Sequence, residues 1–140
     1  MTSIVSYRKF IDALTTKELA LPEGENRQRI GSELATIDGT TYVSLPGDAK
    51  LPQDQPAEIV DSIETLTLPL PEMLRDAIRQ ASPLVQLIDR QVVEQIRARY
   101  SVDDEIKLLR IAPSEETSAW NAYVEDCRAW GRAKKAALGL

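Results

Sequence analysis

Two rhythms of apolar residues divide this 140-residue chain near position 70. Beyond it, apolar residues recur every three or four positions, the spacing of one helical face. Leu74, Ala77, Ile78 and Ala81 mark a short helix over Pro71–Ala81. Ser82–Pro83 restarts the pattern as a capping serine followed by proline at the first helical position. The next helix runs to about Tyr100 on Leu84, Ile88, Val92, Ile96 and Tyr100, with Val85 and Val93 alongside. Ser101 then caps a third helix, and Asp103, Asp104 and Glu105 fill its first turn, where negative charge is favoured. Its apolar face is Ile106, Leu108, Leu109 and Ile111, and Pro113 stops it. Ser114, with Glu115 and Glu116 behind it, opens the last helix.

Before position 70 the pattern is shorter and broken by prolines. Tyr7, Phe10, Ile11 and Leu14 have helical spacing, with Ser6 as a possible cap, although the segment is ambiguous between helix and strand. In SELATIDGTTYVSL, Asp38–Gly39 predicts a tight hairpin turn, because both central positions of such a turn need positive φ. Leu34 would then face Val43, and Ala35 would face Tyr42. A proline-rich loop follows over Leu51–Pro56, and Glu58–Leu68 is rich in β-branched residues and reads as a strand, or two short ones. The resulting expectation is an α+β chain: a small antiparallel β module over residues 1–68, followed by a module of three to four helices over 69–140.

The last helix carries the sharpest signal. Trp120, Tyr123, Val124, Cys127 and Trp130 fall on one side of it, and both tryptophans of the chain are among them. Such a face packs on its own chain, on a copy of itself or on a partner. Taking 120 and 127 as a positions and 123 and 130 as d positions gives two apolar heptads, followed by Lys134 and Ala137. That is too short for a free-standing coiled coil but adequate for a short seam in a symmetric oligomer. These five residues are therefore the candidates for association, and Tyr42 and Val43 are weaker candidates for contact with a client.

Composition narrows the chemistry. Hydrophobic residues make up 43% of the chain, enough for a core. The net charge of −5 comes entirely from residues 1–70, which argues against sequence-independent nucleic-acid binding. The cations Arg128, Arg132, Lys134 and Lys135 near the end complement a helix C-terminus. There is no histidine, so a Ser-His-Asp triad, a Cys-His pair and a histidine metal site are excluded. No glycine-rich phosphate loop is present, and the lone Cys127 reads as a small buried hydrophobe rather than a nucleophile. Neither a catalytic site, a metal site nor a cofactor is expected. No apolar run approaches the ~20 residues of a membrane span, so a protein of a reducing cytoplasm is the default.

One stretch carries a family resemblance. DDEIKLLRIAPSEETSAWNAYVEDCRAW, with its acidic helix start, the aliphatic run Ile106–Leu109 and the aromatic pair Trp120 and Tyr123, resembles the C-terminal helical region of phage tail fibre assembly chaperones. The layout, a β-rich N-terminal part followed by helices, is similar too. The resemblance implies a non-enzymatic chaperone in the host cytoplasm that holds a tail fibre protein while its chains trimerise, as a homo-oligomer, itself a trimer, matching the client. The alternative is a structural virion component, a baseplate or fibre-adaptor protein, with Cys127 as a candidate link between subunits.

Overall fold

A computed structural model describes all residues, 1–140. Four antiparallel strands form one sheet in the order β2-β3-β1-β4: β1 Ser3–Tyr7, β2 Ser32–Ile37, β3 Thr40–Leu45 and β4 Glu64–Leu66. Four helices follow: α1 Glu72–Ala81, α2 Pro83–Arg99, α3 Val102–Arg110 and α4 Glu115–Ala137. The α+β order of the elements is the one that the apolar rhythms predict.

The hairpin forms where Asp38–Gly39 places it, with both residues at positive φ (51° and 80°). Ala35 lies opposite Tyr42 as expected, but Leu34 does not face Val43. A bulge between Glu33 and Ala35 sets Glu33 opposite Val43. The extra residue turns Leu34 onto the same face as Ala35, where both are buried. The opening segment is strand, not helix. Ile4 and Val5 favour extended backbone, and β1 runs through the middle of the sheet, paired with β3 on one side and β4 on the other. Phe10, Ile11 and Leu14, the remainder of the supposed helical face, are exposed. A turn replaces the helix: the Asp12 carboxylate accepts hydrogen bonds from the Leu14 and Thr15 N–H groups, both at 2.8 Å. The expected strand over Glu58–Leu68 shrinks to β4, because Val60–Ser62 closes into a 3-10 turn.

Both faces of the sheet are covered. On one, Ile4, Leu34 and Ala35 pack with Leu70, Ile78 of α1, Val85 of α2 and Leu140. On the other, Val5, Tyr7, Val43 and Leu45 pack with Leu19 and Ile59 from the long connections. Gln55 stitches those connections together: its side-chain amide donates to the Ala20 carbonyl (2.9 Å) and accepts from the Ala20 N–H (2.8 Å). The first cluster joins the two expected modules. The change from strand to helix does fall between Leu66 and Glu72, but residues 1–68 and 69–140 share one core.

The helix caps are the predicted ones. Ser82 accepts from the Val85 N–H, with Pro83 at the first position. Ser101 and Asp104 form a reciprocal capping box, as do Ser114 and Thr117. From the sheet, α2 and α4 run side by side and antiparallel, with Asp89 paired to Lys135 (2.5 Å) and Val92 against Gly131. At about 1.5 Å per residue, α2 spans ~25 Å and α4 ~34 Å. The result is an arm anchored at the sheet and closed at its far end by α3.

Candidate interaction surface

The aromatic stripe has a partner, and it is α2 of the same chain. Cys127 is buried, and Trp120, Tyr123, Val124 and Trp130 are half-buried. The Tyr123 hydroxyl donates to the Gln95 carbonyl of α2 (2.5 Å). Burial, and then the neighbouring Cys127 thiol, push the Tyr123 phenol above its ordinary pKa. Its ring packs against Tyr100, centroids 5.7 Å apart. The Arg99 guanidinium lies over both rings, 4.9 Å from that of Tyr123 and 5.6 Å from that of Tyr100. Trp130 keeps an open edge beside Gln91, Gln95 and Ala98, and Lys134 covers its ring at 5.6 Å. Of the five residues proposed as an oligomer seam, Tyr123 and Trp130 thus lie beside α2, Cys127 is buried, and Trp120 and Val124 are half-buried. Cys127, sealed in that seam, is not placed to link subunits.

The stripe does a second thing that spacing alone does not reveal: it fixes α3. The Trp120 indole N–H donates to one oxygen of Glu105 (2.9 Å), and the Arg97 guanidinium pairs with the other. Arg97 foremost, aided by Trp120, holds the Glu105 carboxyl below its ordinary range against a smaller opposing effect of burial. Leu108 is buried beneath, and a cleft of ≈ 280 Å³ opens between Tyr100, Lys107, Ile111 and Glu116. With Glu105 and Leu108 turned inward, the other side of α3 faces out. Val102, Ile106 and Leu109 are 54%, 41% and 72% exposed.

At the sheet, one of the weaker pair of client candidates is buried and the other half-buried. Val43 is buried in central strand β3, and Tyr42 is half-buried against the first core cluster. The accessible features of the sheet are its two edges, the three-residue β4 and the longer β2. β2 pairs only with β3, and none of its backbone groups hydrogen-bonds outside that ladder. Ile37 and Thr40 close the two-residue turn, so the next pair, Thr36 and Thr41, is the non-hydrogen-bonded kind. The N–H and C=O of Thr36 therefore point away from the sheet, while its hydroxyl meets that of buried Thr41 at 2.8 Å. The nearby Glu33 is held by Lys9 (2.6 Å) at the rim of a polar cleft lined by Tyr7, Glu18 and Arg29. The charge and hydrogen bond of Glu33 outweigh the burial of Lys9 and raise the pKa of its ammonium group.

No group of three or more Cys, Asp or Glu side chains converges on a metal-sized site. No helix is long and apolar enough to cross a membrane. Compared with family models, curated proteins and solved structures, the chain matches none.

Proposed function

We propose that the protein is a non-enzymatic assembly chaperone for a phage tail fibre, acting in the host cytoplasm. In this reading it receives a strand of the unassembled fibre on the open edge of β2. The observation that carries the reading is that edge: a six-residue strand with unpaired outward backbone on a sheet whose two faces are both covered. Fibre chains that trimerise by intertwining expose unpaired strand edges until all three meet, and such edges aggregate. An added strand satisfies them, with main-chain hydrogen bonds supplying affinity and little sequence demand. The bulge at Glu33/Ala35 and the Glu33 charge blunt half of the edge, which suppresses pairing between copies of the chaperone. One copy per fibre chain follows, so that three copies attend a trimer. With the aromatic stripe used inside the arm, the client and not that stripe sets the number.

The test is the soluble yield of the fibre encoded beside this chain, co-expressed with three forms of it. Thr36→Pro removes the outward donor and the Thr41 hydroxyl pair; Thr36→Val removes only the hydroxyl pair. The expected result is soluble fibre with the wild type and with Thr36→Val, and aggregated fibre with Thr36→Pro. Fibre that is equally soluble without the chain, with the chain instead present in purified particles at fixed copy number, overturns the proposal in favour of a structural virion component.

A further inference from the structure

The geometry points to a two-fold self-association site on the outer face of α3, independent of what the β2 edge binds. Three observations converge there. The first is the apolar stripe itself: Val102, Ile106 and Leu109, spaced by four and three, stand open to solvent. Aliphatic side chains grouped this way on one helical stripe are the kind that another surface covers. The second is rigidity. Glu105, held by Arg97 and Trp120, and buried Leu108 fix the rotation of α3 about its axis, so the stripe cannot turn inward.

The third is charge, and it selects the occupant. Asp103 and Arg110 lie on the same flank of the stripe, one near each end of the helix, and neither forms an ion pair or a side-chain hydrogen bond within the chain. Their midpoint falls beside Ile106. Set a second α3 antiparallel against the first, with the two-fold axis passing beside Ile106. Val102 of each copy then meets Leu109 of the other, the two Ile106 side chains meet at the axis, and Asp103 of each copy meets Arg110 of the other. An acidic start and a basic end make a helix complementary to itself only in this antiparallel sense, and an isologous contact repeats each pair twice. A parallel two-fold pairing would set the two charged flanks on opposite sides of the interface, where Asp103 and Arg110 do not meet. The patch is one nine-residue helix per copy, well short of the ~800 Å² per partner of a standard stable interface. The dimer is therefore concentration-dependent and salt-sensitive rather than permanent.

Sedimentation equilibrium of the full chain from ~5 µM to ~500 µM, at low and high salt, tests this across the range of weak association. The expected result is a reversible monomer–dimer equilibrium that weakens with salt. Asp103→Arg or Arg110→Asp alone, each turning two attractive pairs into two repulsive ones, should raise Kd about fivefold or more. The double swap Asp103→Arg with Arg110→Asp should return Kd to within about threefold of the wild type, although it worsens the match of both charges to the helix dipole. Leu109→Glu should abolish the dimer. All of these positions are exposed, and an unchanged circular dichroism spectrum confirms that each variant folds. A wild-type chain that stays monomeric throughout overturns the proposal. So does a folded double swap that associates no better than the single ones.

Discussion

Gly131 shows how much a single position in the arm decides. It is buried between α4 and α2, and a Cβ placed there would lie 2.6 Å from the Val92 Cγ2. That is far inside van der Waals contact, so Gly131→Ala should destabilise the chain by ~1–3 kcal/mol, although alanine is the better helix former. Urea denaturation checks this, and paired Val92→Ala should recover part of the loss. Glu105 is the second such position. Its pKa is depressed from 4.5, so the stabilisation that it provides is complete above that value and is lost as pH falls through the lower, folded-state value. Glu105→Gln should therefore be less stable than the wild type at pH 7, and the difference should shrink below pH 4.5. A gap between the two denaturation curves that stays constant from pH 7 to pH 3 would refute the role given to the ion pair. Neither position announces itself in the sequence. Gly131 sits inside an evident helix, and Glu105 looks like one more acid in a first turn.

Among the elements, those announced by local chemistry were legible, and those decided by long-range pairing were not. Asp38–Gly39, Ser82–Pro83, Ser101 and Ser114 each act on backbone groups within four residues, and each turn or cap stands where its residues place it. The helical spacing of Tyr7, Phe10, Ile11 and Leu14 leaves helix and strand open, because β3 and β4, which pair with β1, lie some 40 and 60 residues away. The same blindness explains the aromatic stripe: its membership was visible, but its partner α2 was not. The segment after α4 gave no warning at all. Leu140 is buried against Ile4 and Leu34, Arg79 donates to its carbonyl, and the Thr2 hydroxyl donates to the Ala137 carbonyl at 2.8 Å. Leu140→Ala should thus cost about 2–4 kcal/mol, as a core truncation does, whereas exposed Leu14→Ala should change stability by less than about 0.5 kcal/mol. Thermal denaturation of the two variants side by side makes the comparison.

At the scale of the molecule, the shared core makes strands and helices one cooperative unit. A chain ending at residue 68 would leave Ile4, Leu34 and Ala35 uncovered, since Leu70, Ile78, Val85 and Leu140 lie beyond it. It should show neither the strand signal in circular dichroism nor dispersed amide resonances; a folded 1–68 fragment would contradict the shared core. The whole molecule then presents two separate outlets, the β2 edge at the sheet and the apolar face of α3 at the end of the arm, with helices α2 and α4 between them. That separation suits a protein that holds a client at one end while meeting another copy at the other. The most direct measurement is the absolute mass, by light scattering after gel filtration, of this chain co-expressed with the fibre encoded beside it. A single species whose mass corresponds to one copy per fibre chain, with fibre soluble only in that species, is the expected result. Separate elution of the two, with the fibre soluble alone, would contradict the assembly-chaperone function.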